Sequence, residues 1–208
     1  MAEVVVTVAE LAAELAVPGP RRLIGLVGAP GVGKSTVTDE LIQALAARDV
    51  QAVTVPMDGF HLADASLTRL GRLDRKGAVD TFDGHGYVAL LRRLRDETGH
   101  TVFAPGFDRD LEQPLAGAIA VDPGVSVVLT EGNYLLVAEE PWDQIRDLLD
   151  EVVFVRLDAA ERRRRLRARH VQFGKSADHA RAWVDEVDEP NAMLVEATAV
   201  RADRVLLR

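Results

Sequence analysis

The stretch GAPGVGKS, Gly28 to Ser35, satisfies G-x-x-x-x-G-K-[ST] at every specified position. Glycines at these places let backbone N–H groups turn inward around a polyphosphate, and the helix that opens at the end of the loop adds a favourable field. Gly28, Gly31, Val32, Gly33, Lys34, Ser35 and Thr36 are therefore the expected nucleotide-binding residues. Lys34 would bridge the β- and γ-phosphates of ATP, and Ser35 would offer its hydroxyl to Mg²⁺. The chain has only three lysines, Lys34, Lys76 and Lys175, so the one in this loop is not a by-product of a lysine-rich surface.

Two carboxylates follow apolar runs in the manner of strand-end residues: Asp58 in VTVPMDGFHL and Glu131 in VVLTEGNYLL. In an open parallel sheet the carboxyl ends of the strands form the ligand crevice, so both should approach the phosphates. An acid ending a central strand beside the loop is placed to hold Mg²⁺, which is the reading of Glu131. One on the neighbouring strand, farther out, is placed to take a proton from an incoming hydroxyl, which is the reading of Asp58.

The elements that must position these residues are legible in the hydrophobic pattern. RRLIGLVG, QAVTVPMD, SVVLTEG, EVVFVRLD and the closing RVLLR read as strands. Helical patterns are expected over residues 7–16, 33–48, 84–97, 139–150 and 158–171. The alternation predicts an α/β fold, a central five-stranded parallel sheet flanked by helices in a three-layer sandwich. HTVFAPGFDR…GAIAVDPG breaks the rhythm and reads as an inserted β-hairpin near the sheet edge. With no repeat and no linker, residues 1–208 are expected to form a single domain.

Around the strand-end acids lies a second set of candidates. GRLDRKGAVDTFDGHGY has the charge and glycine content of a loop shaped around a polar ligand. Asp83 and Tyr87 could bond substrate hydroxyls, with His61 and Arg109 closing the other side alongside Asp58. ERRRRLRARH, residues 161–170, places Arg162, Arg165 and Arg169 on one helical face and Arg163, Arg167 and His170 on another. Together with FGKS it reads as a lid over 161–176 that brings charge to a transferring phosphoryl group.

Composition narrows the partners. Thirty-three acidic against 25 basic residues, a net charge of -8, argue against nucleic acid or a membrane surface as partner. The absence of cysteine excludes thiolate chemistry and disulfides. No apolar run approaches the roughly 20 residues of a membrane span, and Glu3 to Glu14 lacks the charge pattern of a signal peptide, so the expected location is the cytoplasm. The expected partner is a small-molecule substrate. Oligomeric state stays open, with a homodimer among the states allowed.

The ordered set GAPGVGKST, MDGFHL, RKGAVDTFD, APGFDR, TEGNYLL and RLRARHVQFGKS resembles the P-loop small-molecule kinases grouped around uridine kinase, pantothenate kinase and phosphoribulokinase. Within that group it is most similar to the bacterial branch that includes fructose-transport-system kinases. The likeness runs from Arg22 to Arg208. It implies the P-loop fold, ATP and Mg²⁺ as cofactors, Asp58 as catalytic acid, Glu131 as the Walker-B-type acid, and Arg165 and Arg169, from the RLxxRH spacing, as the lid arginines that assist Lys34 in catalysis. DGFHL and TFDGHGY depart from the uridine kinase patterns, so the acceptor is not carried over: a sugar such as fructose, a nucleoside and a pantothenate-like alcohol all remain. Asn191 in DEPNAML is a candidate contact for the adenine. The rival reading is a nucleotide-switch or accessory NTPase without an acceptor; the chain lacks its guanine-reading Asn-Lys-x-Asp segment. A nucleic-acid-dependent ATPase is disfavoured by the net charge and by the lack of alternating aromatic and basic residues.

Overall fold

In the computed structural model, which describes residues 4–208, the apolar runs pair as a five-stranded parallel sheet. In chain order its strands are β1 (Arg22–Val27), β2 (Ala52–Thr54), β5 (Val127–Gly132), β6 (Glu151–Arg156) and β7 (Arg204–Leu207), arranged β2-β5-β1-β6-β7. Two more, β3 (Val102–Asp108) and β4 (Gln113–Val121), form a separate antiparallel pair, the expected hairpin. The Glu3 end of the segment weighed above as a leader lies outside the described residues.

Strand side chains alternate between the faces of the sheet, and each face has its own core. Leu23 and Val27 of β1, Val128 of β5 and Val152 and Phe154 of β6 meet Tyr87, Leu91 and Leu94 of α4 (Gly84–Asp96). Ile24 and Leu26 of β1, Leu129 of β5 and Val153 and Val155 of β6 pack on the other side. There they meet Leu11 and Leu15 of α1 (Val8–Leu15) and Leu41 and Leu45 of α2 (Lys34–Ala46). The expected helix over 7–16 is thus α1, closed at its start by a capping box between Thr7 and Glu10.

One expectation is corrected. The segment 139–150 is not one helix: it contains a single turn at Trp142–Gln144 and the short α5 (Ile145–Leu148). Trp142, Ile145 and Leu149 keep the buried spacing of a helix, but Leu149 already takes an extended conformation that leads into β6, so the helix stops after one turn. The hairpin stands, as expected, near the sheet edge, on the turn Met57–Phe60 that follows the edge strand β2. At Gly59 an added Cβ would strike the Pro105 carbonyl of β3, so the glycine permits that close approach.

Beyond β6 the chain is more helical than its periodicity suggests. After α6 (Ala159–Gln172) come α7 (Ala177–Trp183), a π-helical turn at Val184–Asp188, and α8 (Glu189–Glu196). Between β2 and α4 lies α3 (Asp64–Leu70).

Candidate active site

The parallel register sets the level of the site. Leu26 and Val27 at the end of β1 lie beside Glu131 and Gly132 at the end of β5, so the loop leaving β1 meets the carboxylate leaving β5. The loop enters α2 through Gly33, whose φ of 93° is left-handed, a conformation side chains other than glycine's rarely adopt. Lys34 is buried; its Nζ donates to the Gly28 carbonyl at 2.9 Å and to Asn133 Oδ1 at 2.7 Å. Burial pushes the Lys34 pKa down, and the charges of Glu131 and Asp58 oppose that shift. Ser35 Oγ donates to Glu131 Oε1 at 2.7 Å. Burial raises the Glu131 carboxyl above the usual range, with Lys34 opposing it.

β2 stops at Thr54, and Pro56 starts the turn that presents Asp58. Arg109, just beyond β3, donates through Nη2 to Asp58 Oδ2 at 3.4 Å. The loop, Glu131, Asp58, His61, Arg109 and Arg169 all line one cleft of about 850 Å³. His61 stacks between Phe82 and Phe107, with ring centres 4.0 and 5.0 Å away. Desolvation holds its pKa at about 4, and its buried Nδ1 has no hydrogen-bond partner.

α6 rests directly on the loop. Leu166 packs over Gly31, where an added Cβ would lie 2.6 Å from Leu166 Cγ. The arginine faces then part company. Arg162, expected beside Arg165 and Arg169, turns inward and is buried, donating to Glu189 Oε1 at 2.5 Å and the Pro30 carbonyl at 3.4 Å. Arg163, Arg167 and His170 pair with Glu189, Asp185 and Asp188, which brace α6 against the helices that follow. Arg165 and Arg169 remain on the cleft. Arg165 is held by Glu161 at 2.8 Å. Desolvation and the nearby Arg109 lower the Arg169 pKa, whereas Asp58 raises it.

Ser35, Thr36, Gly31, Gly33 and Lys34 line the cleft as expected, and so does Asn191. Val32 buries its side chain in the core beneath the loop, and Gly28 supplies a carbonyl to Lys34 rather than a wall. Two substrate candidates are displaced. Tyr87 is fully buried in α4, donating to Thr130 Oγ1, which in turn donates to the Val55 carbonyl. Asp83 is the N-cap of α4, accepting from the Gly86 N–H at 2.8 Å, and does not line the cleft. Their spacing in TFDGHGY is that of a helix start, which explains both placements. Asn133, Lys76, Phe107 and Trp183 line the cleft without having been singled out. Asn133 stands two residues past Glu131, and Lys76 is one of only three lysines; those were the available signals.

Residues 24–184 match the family model described as AAA domain. The chain is 34% identical over 203 residues to a protein of Schizosaccharomyces pombe named as a candidate uridine kinase, covering 94% of this chain and 86% of that one. It is 41% identical over 133 residues to the ATP-dependent kinase-like protein notR' of Aspergillus versicolor, covering 61% of this chain and 77% of that one. Among solved structures, a candidate fructose transport system kinase from Silicibacter sp. TM1040 superimposes with a TM-score of 0.87 at 36% identity, over 98% of this chain and 99% of that one.

Proposed function

We propose, for a chain that belongs to the P-loop ATP-dependent kinases of small molecules, that it transfers the γ-phosphoryl group of ATP to a hydroxyl of a small polar metabolite, with Asp58 as the base. The observation that carries this reading is that Asp58 opens onto the same cleft as Lys34 and Ser35. A switch NTPase needs no carboxylate for an acceptor, whereas a kinase does.

In this mechanism the loop N–H groups and Lys34 hold the phosphates. Lys34 exchanges its present acceptors, Gly28 O and Asn133 Oδ1, for phosphate oxygens. Ser35 and Glu131 form a pair of hard oxygen donors suited to Mg²⁺, and both would hold it. Bound there, the ion would neutralise phosphate charge. Asp58 orients the acceptor hydroxyl and takes its proton as the oxygen attacks phosphorus, while Arg109 steadies the carboxylate. Arg165 and Arg169 place charge over the transferring group, where it stabilises the transition state more than bound ATP.

The test is ADP release with Mg-ATP over a panel of sugars, nucleosides and hydroxy acids, comparing the native chain with Lys34→Ala. Acceptor-dependent release that disappears in the variant is the expected result. Full activity in Lys34→Ala would overturn the kinase reading, and acceptor-independent turnover would favour an accessory NTPase.

A further inference from the structure

We propose, resting on the kinase reading above, that the acceptor is an anionic hydroxyl compound whose carboxylate or phosphate is held by Lys76 and Arg109 beside His61, in preference to a neutral sugar or nucleoside.

The distribution of charge points this way. The chain carries a net charge of -8 and three lysines, and all three lysines line this one cleft. With three arginines they face four carboxylates there, so the cleft is cationic in an acidic molecule. ATP and its loop account for Lys34 and Arg165. Lys76 is on the His61 side of Asp58, its Nζ 5.9 Å from the centre of the Phe107 ring.

Lys76 is also held still. Its side chain is only 15% exposed, and it donates to Asp64 Oδ1 at 2.7 Å and to the Glu112 carbonyl at 2.5 Å. An ammonium has three donors, so one is left for a ligand. Asp64 offsets part of the charge from the solvent side, being 47% exposed. Arg109 spends one long hydrogen bond on Asp58, out of the five N–H groups of a guanidinium. The charges of both cations act on His61, which lines the same cleft. A neutral acceptor would leave the spare donors of both cations without a charged partner in the cleft. A carboxylate or phosphate satisfies both.

Matched acceptors test this: glycerol against glycerate for a carboxylate, and ribose against ribose 5-phosphate for a phosphate, each by ADP release with Mg-ATP. The anionic member of one pair is expected to show at least about tenfold higher kcat/KM, and the pair that does so identifies the anion. Lys76→Ala should cut that preference by roughly 10- to 100-fold, mainly through KM, and Lys76→Arg should restore most of it. Equal turnover of neutral and anionic members would overturn the anionic acceptor and leave the kinase reading standing.

If no member of either pair turns over, inorganic phosphate is titrated calorimetrically into native enzyme saturated with a non-hydrolysable Mg-ATP analogue. Binding that weakens about tenfold in Lys76→Ala supports the site. No binding, or binding indifferent to Lys76, overturns it.

Discussion

Asp58 is the residue on which the proposed acceptor chemistry turns, and two roles for it can be separated by experiment. It lines the same cleft as the Ser35–Glu131 pair and is hydrogen-bonded to Arg109. Asp58→Asn keeps size and hydrogen bonding but cannot take a proton as a carboxylate does. Its phosphorylation rate should fall by about 10²- to 10⁴-fold with Mg-ATP affinity retained. Loss of Mg²⁺ affinity with rate recovered at saturating metal would instead make it a metal ligand. His61 titrates against the fold. Its folded pKa is about 4 against 6.5 for an ordinary imidazole, so as the pH falls through that window the unfolded chain takes up the proton first. Stability is therefore full above pH 6.5 and erodes towards pH 4, by roughly 2–3 kcal/mol for this group. His61→Phe should remove that slope, read as the difference between variant and native urea midpoints at about pH 7 and about pH 5.

At the scale of elements, α6 does two jobs on two faces. Arg165 and Arg169 line the cleft, while Arg162 is buried against Glu189 and the phosphate-loop carbonyl of Pro30. Replacing Arg165 and Arg169 with alanine should lower turnover more than it weakens ATP binding, measured as kcat against the nucleotide dissociation constant. Arg162→Ala should do the reverse of a lid variant. It leaves Glu189 without its nearest partner and should cost about 2–3 kcal/mol of stability by chemical denaturation, somewhat below a fully buried pair because Glu189 is 23% exposed. The acids Asp185, Asp188 and Glu189, brought opposite α6 by the helices after it, make the arginine helix a braced element rather than a solvated one.

At the scale of the molecule, the sheet joins two cores, and the site sits where the strand ends of both meet the phosphate loop. A ligand that binds only the folded chain stabilises the whole. Mg-ATP at a ~100-fold excess over its dissociation constant should contribute about 2.7 kcal/mol, a rise in Tm of roughly 5–10 °C. Lys34→Ala should abolish most of that rise, and an unchanged shift in the variant would mean the nucleotide binds elsewhere.

The sequence by itself determined the phosphate loop, because its chemistry depends on backbone turns at contiguous residues. It determined the parallel sheet through runs of Val, Ile and Leu buried on both faces, and with the sheet the placing of Glu131 at the end of β5 and of Asp58 in the turn just past β2. Tertiary structure alone decided whatever depends on which way a side chain turns and what distant segment meets it. Tyr87 turned into the core to reach Thr130, and Asp83 was taken by the start of its own helix. Arg162 left its helical neighbours because Glu189, 27 residues on, folds back against it. Lys76 reached the cleft because Asp64 and Glu112, 12 and 36 residues away, hold it there. Periodicity reports one element at a time, whereas each of these placements is set by hydrogen bonds and burial between side chains and the surroundings that only the assembled fold supplies.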